Sequence, residues 1–224
     1  MILLQWVKLL SHRHTSLILL VMFFLGSAYP TGKLGINASV PPILFGALRM
    51  GIVFICLIPF CKIVIPNRKY FLPLIAFSLS MGVGVNLFLY LSLSISNIMS
   101  PLVIGAQLSI PIAIILSSIF IGESINYKKW ILIISSLLGI IMIGFDPKIA
   151  DEIFGFLLIC AMAFFYASSQ VFSRYLKEID VKLTNACMGL IAFIILSIVS
   201  IFFEGNVVPN LRNLNIEAWL MILH

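Results

Sequence analysis

The stretch Tyr70–Gly122, YFLPLIAFSLSMGVGVNLFLYLSLSISNIMSPLVIGAQLSIPIAIILSSIFIG, runs for 53 residues without one charged side chain. A helix needs about 20 such residues to cross the roughly 30 Å of hydrocarbon in a bilayer. The run is too long for one crossing and suits two. A polar turn at Ser94, Ser96, Asn97 and Ser100-Pro101 would join them, with the proline in a first helical turn, where its missing N–H is tolerated.

Outward from this window the same composition continues. Of 224 residues, 62% are hydrophobic and 10% charged, and the mean hydropathy is +1.18. Soluble domains run near 45–50% apolar and about 25% charged, so a water-soluble globule is excluded. The fourteen Lys and Arg against eight Asp and Glu give +6, which in such a chain points to loops at a cytoplasmic face rather than to nucleic acid. Cys56, Cys61, Cys160 and Cys187 lie in or beside apolar runs without a C-x-x-C pair, and read as small buried hydrophobes rather than disulfides or metal ligands.

Charged positions divide the remainder into further spans: His14 to Gly32, Pro41 to Cys61 with Arg49 inside it, Trp130 to Phe145, Ile153 to Ser173, and Leu183 to Phe203. Ala218 to Leu223 reads as the start of another. The fold expected is an all-α integral membrane protein with seven full transmembrane helices and the beginning of an eighth. No small-residue cleavage pattern follows the first span, which is therefore read as retained. With the amino terminus cytoplasmic, ten basic residues fall in loops on that side and three on the other, a positive-inside bias that sets the orientation in the cell (inner) membrane.

The chain also repeats itself. Phe23-Phe24-Leu25-Gly26-Ser27 followed by Lys33 matches Phe164-Phe165-Tyr166-Ala167-Ser168 followed by Arg174 at a constant offset of 141 residues, and the offset carries the second span onto the seventh. Five spans precede the second copy, and because five is odd the copies are inverted relative to one another. The last residue then corresponds to Val83, so the second repeat reads as incomplete, with roughly 62 residues absent from a ten-span relative of about 286.

In order along the chain, Gly26-Ser27 with Lys33, Pro42 with Arg49, Leu89-Tyr90, Pro111, Gly122-Glu123, Trp130 and Gly139 resemble an EamA domain of the drug/metabolite transporter superfamily. One departure is Leu25, where that family often carries tryptophan. The resemblance implies a cytoplasmic amino-terminal segment over residues 1–15, a first five-helix repeat over 16–146 and an incomplete second repeat over 153–224. It further implies movement of a small polar metabolite by alternating access.

Several residues are candidates for contact with that metabolite. Arg49 lies about 10 Å below the outer surface, where an unpaired charge is costly unless it faces a watery cavity or caps a helix. Ser78, Gly82, Asn86, Tyr90 and Ser94 recur every four residues on one ridge, which must meet protein or water. Pro111 frees the carbonyl of Gln107. With Tyr29 from the first span and Tyr166 and Gln170 from the sixth, these define a predicted midplane cavity lined by Tyr29, Arg49, Asn86, Tyr90, Gln107, Tyr166 and Gln170. Lys33 reads as an interfacial anchor, Arg174 as a loop residue, and Glu123 as a partner of Lys128 or Lys129.

The acids fall in loops, so no intramembrane carboxylate for proton relay is expected. No metal, cofactor or enzymatic constellation is expected either, since the histidines are terminal and no nucleophile has a base at workable spacing. The alternative to a transporter is a truncated, non-transporting remnant or an assembly partner. Its partners would be the lipid bilayer and a second copy of the chain or a missing carboxy-terminal half. From the incomplete second repeat the expectation is that the 224-residue chain alone does not transport, that spans one to five form its compact part, that spans six and seven dock poorly and that the segment after Glu217 is loosely placed.

Overall fold

A computed structural model describes residues 2–38, 40–61, 67–144, 152–205 and 216–224, without the side chains of residues 2–14, 25, 141, 143 and 144. Among them there is no strand. Helix α1 runs Ile2–Asn37 and α2 runs Pro42–Leu57, entered through prolines whose fixed φ suits a first turn. The third span is α3, Arg68–Phe77, a wide π-helical segment, Ser78–Gly84, and α4, Val85–Ile95. The fourth is α5, Ser100–Ala106, and α6, Ser109–Ile121. Then come α7, Tyr127–Gly144, α8, Ile153–Tyr175, α9, Val181–Glu204, and α10, Ile216–Leu223.

The long uncharged window is thus two helical spans broken at Ser96–Met99. Six described segments are long and apolar enough to cross a membrane: Thr15–Asn37, Pro42–Phe60, Arg68–Ile95, Ser100–Ile121, Ile153–Tyr175 and Val181–Glu204. The chain is a multi-pass membrane protein, and large apolar side chains such as Phe23, Leu72, Phe202 and Phe203 stand exposed on its outside, where acyl chains would cover them. The expected fifth span coincides with α7, which is not among the six. Its 18 residues rise about 27 Å and open on Lys128-Lys129.

Local chemistry explains the boundaries. Gly122 ends α6 in the left-handed region at φ 75°, a conformation that costs glycine little. Asp180 caps α9 by accepting from Lys182 N at 3.0 Å. Pro111, without an N–H, leaves the Gln107 carbonyl to Ile110 N at 3.1 Å, and the fourth span breaks at Gln107-Leu108 between α5 and α6.

Helix α9 packs along α2, and α8 fills the space against α3 through α6. Phe45, Ile159 and Leu196 are fully enclosed. Helix α10 rests on α1 and α2 with Ala218 and Ile222 buried, and Ser27 Oγ lies 3.0 Å from His224 Nε2. This corrects the expectation that the later helices dock poorly: their small residues admit close packing, as where Gly189 lies against the backbone of α2. The cysteines are free, but Cys56 is exposed and the other three only half-buried, so they are not the buried hydrophobes expected.

Candidate functional site

Charged side chains divide the bundle into two ends. At one, Lys33 Nζ donates to the carbonyls of Leu93 at 2.7 Å and Ser96 at 2.6 Å, at the carboxyl end of α4. Glu204 accepts from Ile43 N at 2.7 Å and Leu44 N at 3.0 Å, capping the first turn of α2, and from Ser200 Oγ at 2.6 Å. Glu152 accepts from Asn97 N at 2.8 Å. Lys33 and Glu204 thus satisfy helix-terminal backbone that would otherwise lack a partner, and Glu152 holds the turn between α4 and α5.

At the opposite end, Arg174 pairs with Glu123, whose other oxygen accepts from Ser117 Oγ at 2.8 Å. Tyr175 Oη donates to Phe120 O at 2.8 Å, Tyr70 Oη donates to Glu178, and Lys69 lies 3.6 Å from the same carboxylate. Hydrogen bonds from Ser117 and Arg174 hold Glu123 below its ordinary carboxylate value. Those from Tyr70, together with the Lys69 charge, do the same for Glu178.

Between these ends the structure brings three of the predicted site residues together. Arg49 Nη1 donates to Tyr90 Oη at 2.8 Å, and Tyr90 is 2% exposed. Its ring is gripped by two glycines: a Cβ on Gly46 of α2 would come within 2.9 Å of it, and one on Gly32 of α1 within 3.2 Å. Phe45 packs edge-on against it at 5.0 Å. Asn86, one turn earlier, is buried beside Gly46.

Asn86 Nδ2 donates back to Gly82 O at 2.8 Å and Met81 O at 3.2 Å, carbonyls of the wide turn. The four-residue ridge is buried against protein at Ser78, Gly82, Asn86 and Tyr90, and Gly82 packs on Ala192 and Met188 of α9. Tyr29 is half-buried against the main core and lies within electrostatic reach of Tyr166.

The remaining predicted residues lie elsewhere. Gln107 lines an apolar groove of about 510 Å³ between the broken fourth span and α7, while Gln170 lines a charged cleft of about 240 Å³ between α6 and α8. Among the described residues no group of three or more His, Cys, Asp or Glu could hold a metal ion.

Two readings are corrected and one is extended. Lys33, expected as an interfacial anchor, also caps the carboxyl end of α4. Glu123 pairs with Arg174, while the expected partner Lys129 adds only its charge from farther off, so Arg174 is more than a loop residue. Glu204 is the last residue of α9 and binds another helix rather than lying in a loop. Sequence distance hid these contacts, which join residues 60, 51 and 161 positions apart.

A family model, that of the EamA-like transporter family, matches residues 14–145 of the chain. No curated protein and no solved structure is matched.

Proposed function

Since the chain belongs to the EamA-like transporter family, we propose that it moves a small polar metabolite across the membrane by alternating access between two inverted repeats. The observation that carries this reading is the packing of α9 on α2. The two are counterparts at the 141-residue offset, and they run antiparallel, because the last residue of α9, Glu204, caps the first turn of α2. Antiparallel counterparts are what an inverted repeat requires.

Two further contacts support the odd number of spans between the copies. Helix α6 ends at the Arg174 end, through Glu123, and α8 begins at the Lys33 end, through Glu152. These positions support reading α7 as part of a fifth crossing. On the same reading the Arg174 end is cytoplasmic, since Arg68, Lys69, Lys128, Lys129, Arg174, Lys177 and Lys182 gather in its loops.

In this scheme Arg49 and Tyr90 stand at the seam between the first two spans and meet the substrate, with Asn86 behind them and Tyr29 and Tyr166 facing from the two repeats. Gln107 and Gln170 meet it on the way in or out. Arg49 has no acid partner among the described residues, so its charge remains available to a substrate.

Uptake of amino acids and nucleotide-type metabolites by liposomes containing the purified chain tests the proposal. Transport of at least one compound, lowered by Arg49→Met, is expected; no transport of any would overturn it. Single cysteines at Asn67 and Asn97 should label from opposite sides, with Asn67 cytoplasmic.

A further inference from the structure

The cleft between α6 and α8 has a built charge pattern. Its lining carries two cations, Lys129 and Arg174, against one acid, Glu123, together with the apolar Ile114 and Val171 and the polar Gln170. Glu123 is held by Ser117 and Arg174, whereas Lys129 reaches it only as a nearby charge and makes no ion pair of its own among the described residues. One positive charge is thus left in excess over a cavity of about 240 Å³. At roughly 30 Å³ per water this is room for about eight waters, or one small metabolite.

We infer that this cleft is the entry site for a soluble metabolite bearing a carboxylate or phosphate, which engages Lys129 and then displaces Glu123 from Arg174. The inference rests on the transporter reading and adds to it a substrate class and a place of first contact. Its chemistry follows from the arrangement. An incoming anion offers Arg174 the same oxygen acceptors as Glu123 does, and Lys129 favours the exchange by drawing the anion in. The Glu123–Arg174 pair ties the carboxyl ends of α6 and α8. Its exchange leaves the Tyr175–Phe120 hydrogen bond as the other tie there. Both ion-pair partners are well exposed, so the exchange is inexpensive and the site is weak, as an entry site must be to release its cargo onward.

Trp130, next to Lys129, provides a local reporter. The full chain carrying Trp6→Phe and Trp219→Phe would be placed in phosphatidylcholine nanodiscs. Its fluorescence would be titrated with succinate and with inorganic phosphate at constant ionic strength, and with sodium chloride and putrescine as controls. A saturable change with succinate or phosphate alone is expected. Lys129→Gln should weaken it about threefold, and Glu123→Gln should tighten it about threefold by removing the competitor. Lys129→Arg should retain it, which separates loss of charge from loss of fold.

Absence of saturation, an equal response to chloride, or weaker binding in Glu123→Gln would overturn the inference. So would loss of the response in nanodiscs containing phosphatidylglycerol, since a lipid headgroup would then be the occupant. Uptake assays run in parallel separate the two ideas. Anion binding without transport of any compound defeats the transporter reading, whereas transport that Lys129→Gln leaves unchanged, without anion binding, defeats the cleft alone.

Discussion

Arg49 on α2 and Tyr90 on α4 are joined by a single hydrogen bond of 2.8 Å, which gives a cation within the second span a partner and gives a buried phenol an acceptor role. The two groups belong to different helices, so neither can be changed without leaving the other short of a contact.

Tyr90→Phe should therefore lower stability by about 1.5–3 kcal/mol, the range for a hydrogen bond to a charged group. Thermal unfolding in detergent measures it. Arg49→Met and Tyr90→Phe combined should cost clearly less than the two losses added together, because the second substitution removes a group the first had already orphaned. Additive losses would mean that the bond contributes nothing.

Gly189 faces the backbone of α2, and a Cβ there would lie 3.0 Å from Met50 O and 3.1 Å from Phe54 N. Gly189→Leu should force α9 away from α2 at a cost of about 1–3 kcal/mol or more. Gly139→Leu, where nothing lies within 4 Å, should leave the unfolding temperature nearly unchanged.

Glu204→Ala leaves the Ile43 and Leu44 amides without their acceptor and should destabilise the bundle by about 1 kcal/mol, as loss of a helix amino-terminal cap does. Amide hydrogen exchange should quicken first at Ile43 and Leu44. Unchanged protection there would show that the cap is not formed.

At the other end the dependence is on pH. Glu123 is held below its ordinary value of 4.5 by Ser117 and Arg174, so its contribution is complete above 4.5 and is lost as pH falls through that value towards the lowered one. Exchange at the carboxyl ends of α6 and α8 should accelerate on acidification. Glu123→Gln should already be fast at neutral pH and flatter below it. Glu178, lowered by Tyr70 and Lys69, titrates in the same direction and remains in the variant as an internal comparison.

What the sequence made legible followed from short-range rules. The uncharged run Tyr70–Gly122 divides at its polar turn because length alone forbids a single crossing, and the Pro111 break sits at Gln107 because a proline frees a carbonyl one turn before it. The register of Arg49 and Tyr90 was visible only as two polar positions in separate spans, and the structure supplies their contact. The wide turn at Ser78–Gly84 was not legible, since its residues would equally suit an ordinary helix. Asn86 consequently turns back on Gly82 and Met81 instead of reaching across an interface. Lys33, Glu152 and Glu204 looked like boundary or loop charges because the backbone groups they bind lie in segments distant in the chain.

The Tyr90 ring between Gly32 and Gly46 restricts how these positions can diverge among related chains. While a six-membered ring occupies position 90, even an alanine methyl crowds it at 46 and presses on it at 32. Replace the ring by a smaller side chain and the restriction at 46 lifts, whereas at 32 Leu93 Cδ1, 3.1 Å from the same Cβ, still stands in the way. Homologues should therefore show linked substitution at 46 and 90, a larger residue entering the first only where the second has shrunk, with position 49 losing its arginine in those same lineages and position 32 staying small unless 93 shrinks as well.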